Sequence, residues 1–238
     1  MRSRRTVQEL PIPAPAPNCW APAVRHLRRV DPHLRAIIDR IGPCRLEPYP
    51  DRFGALVRSI ISQQISSKAA RSINQRLVAL GGDPHRPERL IELGEPALRT
   101  VGLSGAKARY VLNLAEAVGS GAVPLDAIDG SWDDATITRA LTSIKGIGVW
   151  TAEMFLIFAL NRPDVLPASD LGVRVALRDR HGLAQLPAPR ECYALAEPWR
   201  PYRTIAGWYI WKGVDTPQAP PAATGEQDGA VSRRGRTR

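Results

Sequence analysis

Apolar residues recur along this chain at helical spacing, and no stretch shows convincing strand-like alternation. The clearest run covers about 51–66, where Phe53, Leu56, Val57, Ile60, Ile61 and Ile65 fall at i, i+3, i+4, i+7, i+8 and i+12. They define one apolar face, with Asp51 placed to cap the helix start. A second helix is predicted over about 68–80, with Ala69, Ile73, Leu77 and Leu80 inward and Gly81-Gly82 ending it. Two short helices follow, near 87–93 and 96–100. Ser104, in Val101-Gly-Leu-Ser104, is placed to cap a helix from Lys107 to Val118, which Gly119-Ser-Gly121 stops. Another helix spans Asp133 to Leu141. Residues 151–160 are apolar apart from Thr151 and Glu153 and predict a buried helix. Asp170–Arg180, Arg190–Ala196 and Tyr202–Trp211 complete the series of about ten, an all-α architecture.

The ends read differently. Residues 1–22 carry Pro11, Pro13, Pro15, Pro17 and Pro22 and predict an extended, poorly ordered arm. Residues 213–238 are rich in Pro, Ala, Gly and Arg and predict a disordered basic tail. A helical body over 23–212 remains.

At 238 residues, 44% hydrophobic and 24% charged, the chain can bury a substantial core. No apolar run approaches the roughly 20 residues that span a bilayer. The basic start, Met1-Arg-Ser-Arg-Arg, is followed by Gln8, Glu9 and prolines rather than an apolar segment, so no secretory signal is expected. The formal charge of +10 and a pI of about 10.2 imply a polyanionic partner, nucleic acid or an anionic surface. Arg233, Arg234, Arg236 and Arg238 contribute, but the remaining chain is still positive. Cys19, Cys44 and Cys192 are scattered and form no C-x-x-C pair, which fits a reducing cytoplasm and no zinc or iron–sulfur site. His26, His33, His85 and His181 lack metal-ligand spacing, so no metal is expected.

Leu141-Thr-Ser-Ile-Lys-Gly-Ile-Gly-Val-Trp-Thr-Ala152 carries the strongest chemistry. A helix ends, Gly146-Ile147-Gly148 turns tightly, and a new helix begins near Val149. Glycines there tolerate positive φ and leave backbone N–H groups facing outward beside a helix N-terminus. Such a turn binds a phosphate, with charge from Lys145 and a hydroxyl from Thr151, while Ile147 plugs the core. By itself the G-x-G also reads as an ordinary turn.

Ile144-Lys-Gly-Ile-Gly-Val-Trp-Thr-Ala152 resembles the helix–hairpin–helix of the DNA glycosylase superfamily that carries a Gly/Pro-rich loop and a catalytic Asp. Phe53-x-x-Leu-Val-x-x-Ile-Ile-Ser-Gln-Gln-Ile-Ser66, Val101-Gly-Leu-Ser-x-x-Lys-Ala-x-Tyr110 and Asp164-Val-Leu-Pro-Ala-Ser-Asp-Leu-Gly172 support the resemblance in the same order, over about residues 23–212. The subfamily it looks like is the inducible 3-methyladenine glycosylases. The resemblance implies a two-lobed fold, one lobe of about 51–165 and one of 23–50 with 166–212, with double-stranded DNA in the cleft. It implies a monomer without a membrane partner, working in the cytoplasm on the nucleoid. The N-terminal β-rich domain of some relatives has no counterpart in residues 1–22.

Carried over residue by residue, the catalytic carboxylate falls on Asp170, about twenty residues beyond the hairpin. Cleaving an N-glycosidic bond builds positive charge on the sugar, which a carboxylate at C1′ stabilises while it activates water. Taken alone, Asp170 reads as an N-cap, and the two roles are compatible. Bifunctional members place a nucleophilic Lys two residues after the second hairpin glycine; here that position is Trp150, which implies hydrolysis without strand cleavage. The base pocket maps to Trp150 and Trp208, with Met154 where some relatives have Tyr. Aromatic faces suit cationic N-alkylpurines of the 3-methyladenine and 7-methylguanine type. The duplex wedge maps to Gln64, with Gln63 beside it, although these could instead finish their helix. Trp199, Tyr202, Tyr209 and Trp211 are expected in the core, and Asp164 in a local cap or pair. No cofactor is implied, though the family allows a monovalent cation on the hairpin carbonyls. A non-catalytic DNA-binding module, or a glycosylase for another lesion, would share the hairpin and the charge.

Overall fold

Caps and glycines delimit the helices much as their local chemistry demands. The computed structural model describes residues 20–82 and 85–215. Eleven α-helices form among the described residues. In chain order they are α1 (Ala21–Val30), α2 (Pro32–Ile41), α3 (Arg52–Ser62), α4 (Ser67–Gly81), α5 (Pro87–Thr100) and α6 (Gly105–Gly119). There follow α7 (Asp134–Thr142), α8 (Val149–Phe158), α9 (Leu171–His181), α10 (Pro189–Leu195) and α11 (Arg203–Asp215). Short 3₁₀ turns at Leu125–Ala127 and Glu197–Trp199 complete the inventory.

The side chain of Asp51 accepts from Gly54 N at 2.8 Å, Ser104 from Lys107 N at 3.3 Å and Asp133 from Thr136 N at 2.6 Å. Each satisfies a donor that a helix start leaves orphaned. Gly82, at φ 92°, ends α4. The positive φ of 65° at Gly94 breaks α5 into the two short helices expected near 87–93 and 96–100.

Expectations for α3, α4 and the chain ends need correction. The helix predicted to 66 ends at Ser62, and Ile65, assigned to its buried face, is 38% exposed. The chain leaves the helix at Gln63, whose ψ is 126°, Gln64 follows at φ 55°, and Ser66 caps the next helix by accepting from Ala69 N. On α4, Ala70, Ile73 and Leu77 turn inward, whereas Ala69 is exposed and Leu80 is 37% exposed. Most of the predicted arm and tail, residues 1–19 and 216–238 with Cys19, lies outside the described residues. Residues 21–22 and 213–215 are helical, Pro22 sitting in the first turn, where its missing N–H costs nothing.

Helices α3 to α8 pack on one another, and α1, α2, α9, α10 and α11 pack on one another, giving two lobes. Asp31 knits the second lobe. It is fully buried, accepts from His33 N and Leu34 N as the α2 cap, and its other oxygen meets Trp199 Nε1 at 2.6 Å and Arg180 Nε at 2.9 Å. Asp164 fastens the crossing between the lobes: Arg203 Nε lies 2.7 Å from its Oδ1 and Arg203 Nη2 donates to its Oδ2 at 3.0 Å. Arg203 sits 39 residues away, so the local pairing expected of Asp164 is replaced by a long-range one.

Candidate active site

A cleft of about 1790 Å³ opens between the lobes. Gln63, Gln64, Trp150, Met154, Asp170 and Trp208 all line it. The fold thus brings the predicted carboxylate, pocket and wedge residues to one space.

Asp170 is the N-cap of α9, its Oδ1 accepting from Val173 N at 3.1 Å. The same oxygen accepts from Trp211 Nε1 at 3.0 Å, and Oδ2 accepts from Trp150 Nε1 at 3.2 Å. None of the ion pairs among the described residues involves Asp170. Neutral N–H donors therefore hold the carboxylate in place without cancelling its charge. A group so held can stabilise a cation formed next to it. Trp211, expected in the core, is a direct partner of this carboxylate instead.

Trp208 and Met154 are nearly buried, at 8% and 5% exposure, but reach the cleft wall. Trp208 packs edge-on against Tyr209, and Lys212 Nζ lies 5.7 Å from the Trp208 ring centre. Trp199 and Tyr209 are buried as expected. A further aromatic wall runs Tyr49–Phe158–Trp211, with ring centres 5.9 and 5.7 Å apart and the Arg58 guanidinium 4.6 Å from the Tyr49 ring. Tyr49 precedes α3 in an irregular segment, so no periodicity could have flagged it.

Glu153 is a second residue whose environment sequence patterning passed over. It lies on α8 at 7% exposure, and its Oε2 is buried without a hydrogen-bond partner among the described residues. Burial first, and then the charge of Asp170, push its carboxyl up to about 8. The nearby Tyr193 hydroxyl is raised by burial and by Glu153, against the opposing pull of Arg203.

The hairpin joins α7 to α8. Gly146 has φ 102°, and a Cβ there would overlap the Tyr110 ring, so both backbone and packing require glycine. Gly148 is different: it is an extended N-cap at φ −95° with nothing within 4 Å of a would-be Cβ. Its contribution is open surface, and no side chain caps α8. Ile147 is buried and Lys145 exposed, as expected. Thr151 is 1% exposed, so its hydroxyl faces inward rather than toward a phosphate. It accepts at 3.1 Å from Gln63 Nε2, which also donates to Gly146 O at 3.2 Å. Gln63 thus points at the hairpin, while its neighbour Gln64 stands exposed. Lys107 Nζ donates to Ile61 O and Gln63 O at 2.7 and 2.6 Å, and burial lowers the pKa of its amine.

A family model described as "HhH-GPD superfamily base excision DNA repair protein" matches residues 57–201. The "DNA-3-methyladenine glycosylase 1" of Schizosaccharomyces pombe is 35% identical over 192 residues, covering 79% of this chain and 84% of that protein. The "Alkylbase DNA glycosidase-like protein mag2" of the same yeast is 31% identical, covering 80% and 92%. The solved structure of the S. pombe 3-methyladenine DNA glycosylase Mag1 in complex with abasic DNA superposes with a TM-score of 0.73 at 33% identity, covering 82% of this chain and 97% of that one.

Proposed function

The chain belongs to the HhH-GPD superfamily of base excision DNA repair proteins, and from that membership we propose that it is a monofunctional DNA glycosylase for alkylated purines. It binds double-stranded DNA and works as a monomer, in the cytoplasm on the nucleoid, on bases of the 3-methyladenine and 7-methylguanine type.

The observation that carries this reading is the Asp170 carboxylate, held by two indole N–H groups inside an aromatic cleft and, among the described residues, left without an ion-pair partner. The hairpin N–H groups and Lys145 grip phosphates, and Gln64 fills the space of the extruded base. The base enters among the aromatic rings of the cleft, whose π-faces favour a cationic purine. The C1′–N bond then breaks with its electron pair leaving on the base, which neutralises the alkylated purine. Asp170 stabilises the positive sugar. Water adds its oxygen to C1′, and its proton passes to Asp170 or to solvent. The products are a free base and an abasic site.

Strand cleavage would need an amine that attacks C1′. Trp150 stands at the position where the family's lyases have Lys, and its indole is committed to Asp170. Among the described residues, Lys212 is the only lysine lining the cleft, and it sits over the Trp208 ring. Borohydride is accordingly expected to trap no covalent enzyme–DNA adduct. Two hairpin carbonyls, of Lys145 and Gly146, already accept from Asn113 and Gln63. A monovalent cation on the turn would fall to the others, such as that of Ile147, and would add charge beside a phosphate.

The test is base release from methylated duplex DNA by wild type and by Asp170→Asn. Wild type is expected to release alkylpurines, and the variant to be slower by roughly 10²-fold or more. DNA binding without base release by the wild type would reduce the protein to a binding module. Full activity in Asp170→Asn would remove the carboxylate from the chemistry.

A further inference from the structure

Lys107, Tyr110 and Asn113 stand at i, i+3 and i+6 on α6 and share one face of that helix. Between them they reach both segments that border the cleft, the end of α3 and the hairpin. Lys107 Nζ donates to the carbonyls of Ile61 and Gln63, at the end of α3. Tyr110 fills the space in which a Gly146 side chain would lie. Asn113 Nδ2 donates to Lys145 O at 3.0 Å. Gln63 closes the frame from the other side through Gly146 O and Thr151 Oγ1.

We propose that this face of α6 is a positioning spine that holds the loop carrying Gln64 and the hairpin at 144–148 in one fixed register. Gln64 then enters the duplex at a set distance from the phosphates the hairpin grips. The proposal rests on the reading of Gln64 as wedge and of the hairpin as phosphate anchor.

Three physical points support it. Both polar members of the spine bind backbone carbonyls, so they set the path of each loop independently of its side chains. Ile61 O lies in the last turn of α3, where a carbonyl lacks an intrahelical partner; the half-buried Lys107 amine supplies one. Gln64 has φ 55°, a left-handed conformation disfavoured for a residue with a side chain, so the loop needs external bracing to keep it. Lys107, Tyr110 and Gln63 are thus positioning residues. They act through Gln64 and the hairpin, without touching the reacting atoms.

The experiment measures single-turnover excision of one 7-methylguanine from two duplexes. In one the lesion is paired with cytosine; in the other it lies opposite an abasic site and is already unpaired. Lys107→Met is expected to slow excision of the paired lesion about tenfold and to change excision of the unpaired one less than about twofold. In a cycle with Gln64→Ala, the double variant is expected to be no slower than the slower single variant. Equal losses on both duplexes, no loss on either, or an additive cycle would overturn the proposal. If Lys107→Met does not fold, Gln63→Met cuts the other side of the frame and carries the same expectation. Failure of wild type to excise either lesion sinks the glycosylase reading itself, and the spine with it. If wild type excises both and Gln64→Ala slows neither, the wedge assignment is at fault, and the spine falls with it. A wedge effect without a Lys107 effect overturns the spine alone.

Discussion

Replacing Glu153 by Gln should remove a pH dependence that the fold imposes on its own stability. The Glu153 carboxyl is raised from 4.5 to about 8, by burial first and by the Asp170 charge second. Between those values the native state keeps a proton that the unfolded chain has lost. Unfolding therefore releases a proton, and stability falls as pH rises through this window. Below 4.5 both states are protonated and the effect vanishes; above about 8 both are ionised and the loss is complete. The span from 4.5 to about 8, at about 1.4 kcal/mol per pH unit, corresponds to about 5 kcal/mol. Water entering beside the carboxylate reduces that figure without changing its sign. The Glu153→Gln variant keeps the shape of the side chain but cannot ionise. Urea denaturation at pH 5, 7 and 9 should show wild type losing stability relative to the variant at each step, the gap reaching several kcal/mol at pH 9. Parallel stability curves would show that Glu153 is ionised in the folded protein at neutral pH, and would refute the account of its environment.

Three other outcomes follow from named contacts. Trp211→Phe keeps a ring against Phe158 but deletes the N–H that holds Asp170 Oδ1; hydrogen bonds to charged groups contribute about 1.5–3 kcal/mol, so single-turnover excision should fall about tenfold or more with DNA affinity little changed. A rate equal to wild type would mean that the indole contact is incidental. Asp31→Ala strips partners from Arg180, Trp199 and the first turn of α2, and should cost about 3–5 kcal/mol in denaturant unfolding; a loss below about 1 kcal/mol would show that the buried pair contributes little net stability. Lys145→Ala should lower the slope of log affinity against log salt by about 0.9, as expected for one lost phosphate contact, and an unchanged slope would place Lys145 off the DNA.

Much of this was legible in the chain because it depends on neighbours in sequence. Asp51, Ser104, Asp133 and Asp170 each bond an N–H three residues onward, so their capping follows from residue type and position. The same holds for the stop at Gly82 and for the turn at Gly146, where a positive φ selects glycine. An all-α protein with a phosphate-type hairpin and a capped carboxylate beyond it could be read without a structure.

Tertiary structure decided the rest, where the partners lie far apart in sequence. The α3 helix does not continue through Ile65 on its apolar face; its end is held by Lys107, 46 residues from Ile61. Thr151 sits beside the hairpin turn in sequence but faces Gln63, 88 residues away. Trp211 is expected in the core, yet α11 carries it to Asp170, 41 residues away. Glu153 read as a polar break in an apolar helix; only packing revealed that it is buried and meets the field of Asp170. The helical spacing of apolar residues, with local backbone and capping energetics, therefore settled which segments are helices and where most of them begin. Which side chains share the cleft, and in what electrostatic state, was settled by packing between lobes, because burial and the field of distant charges are properties of the assembled fold.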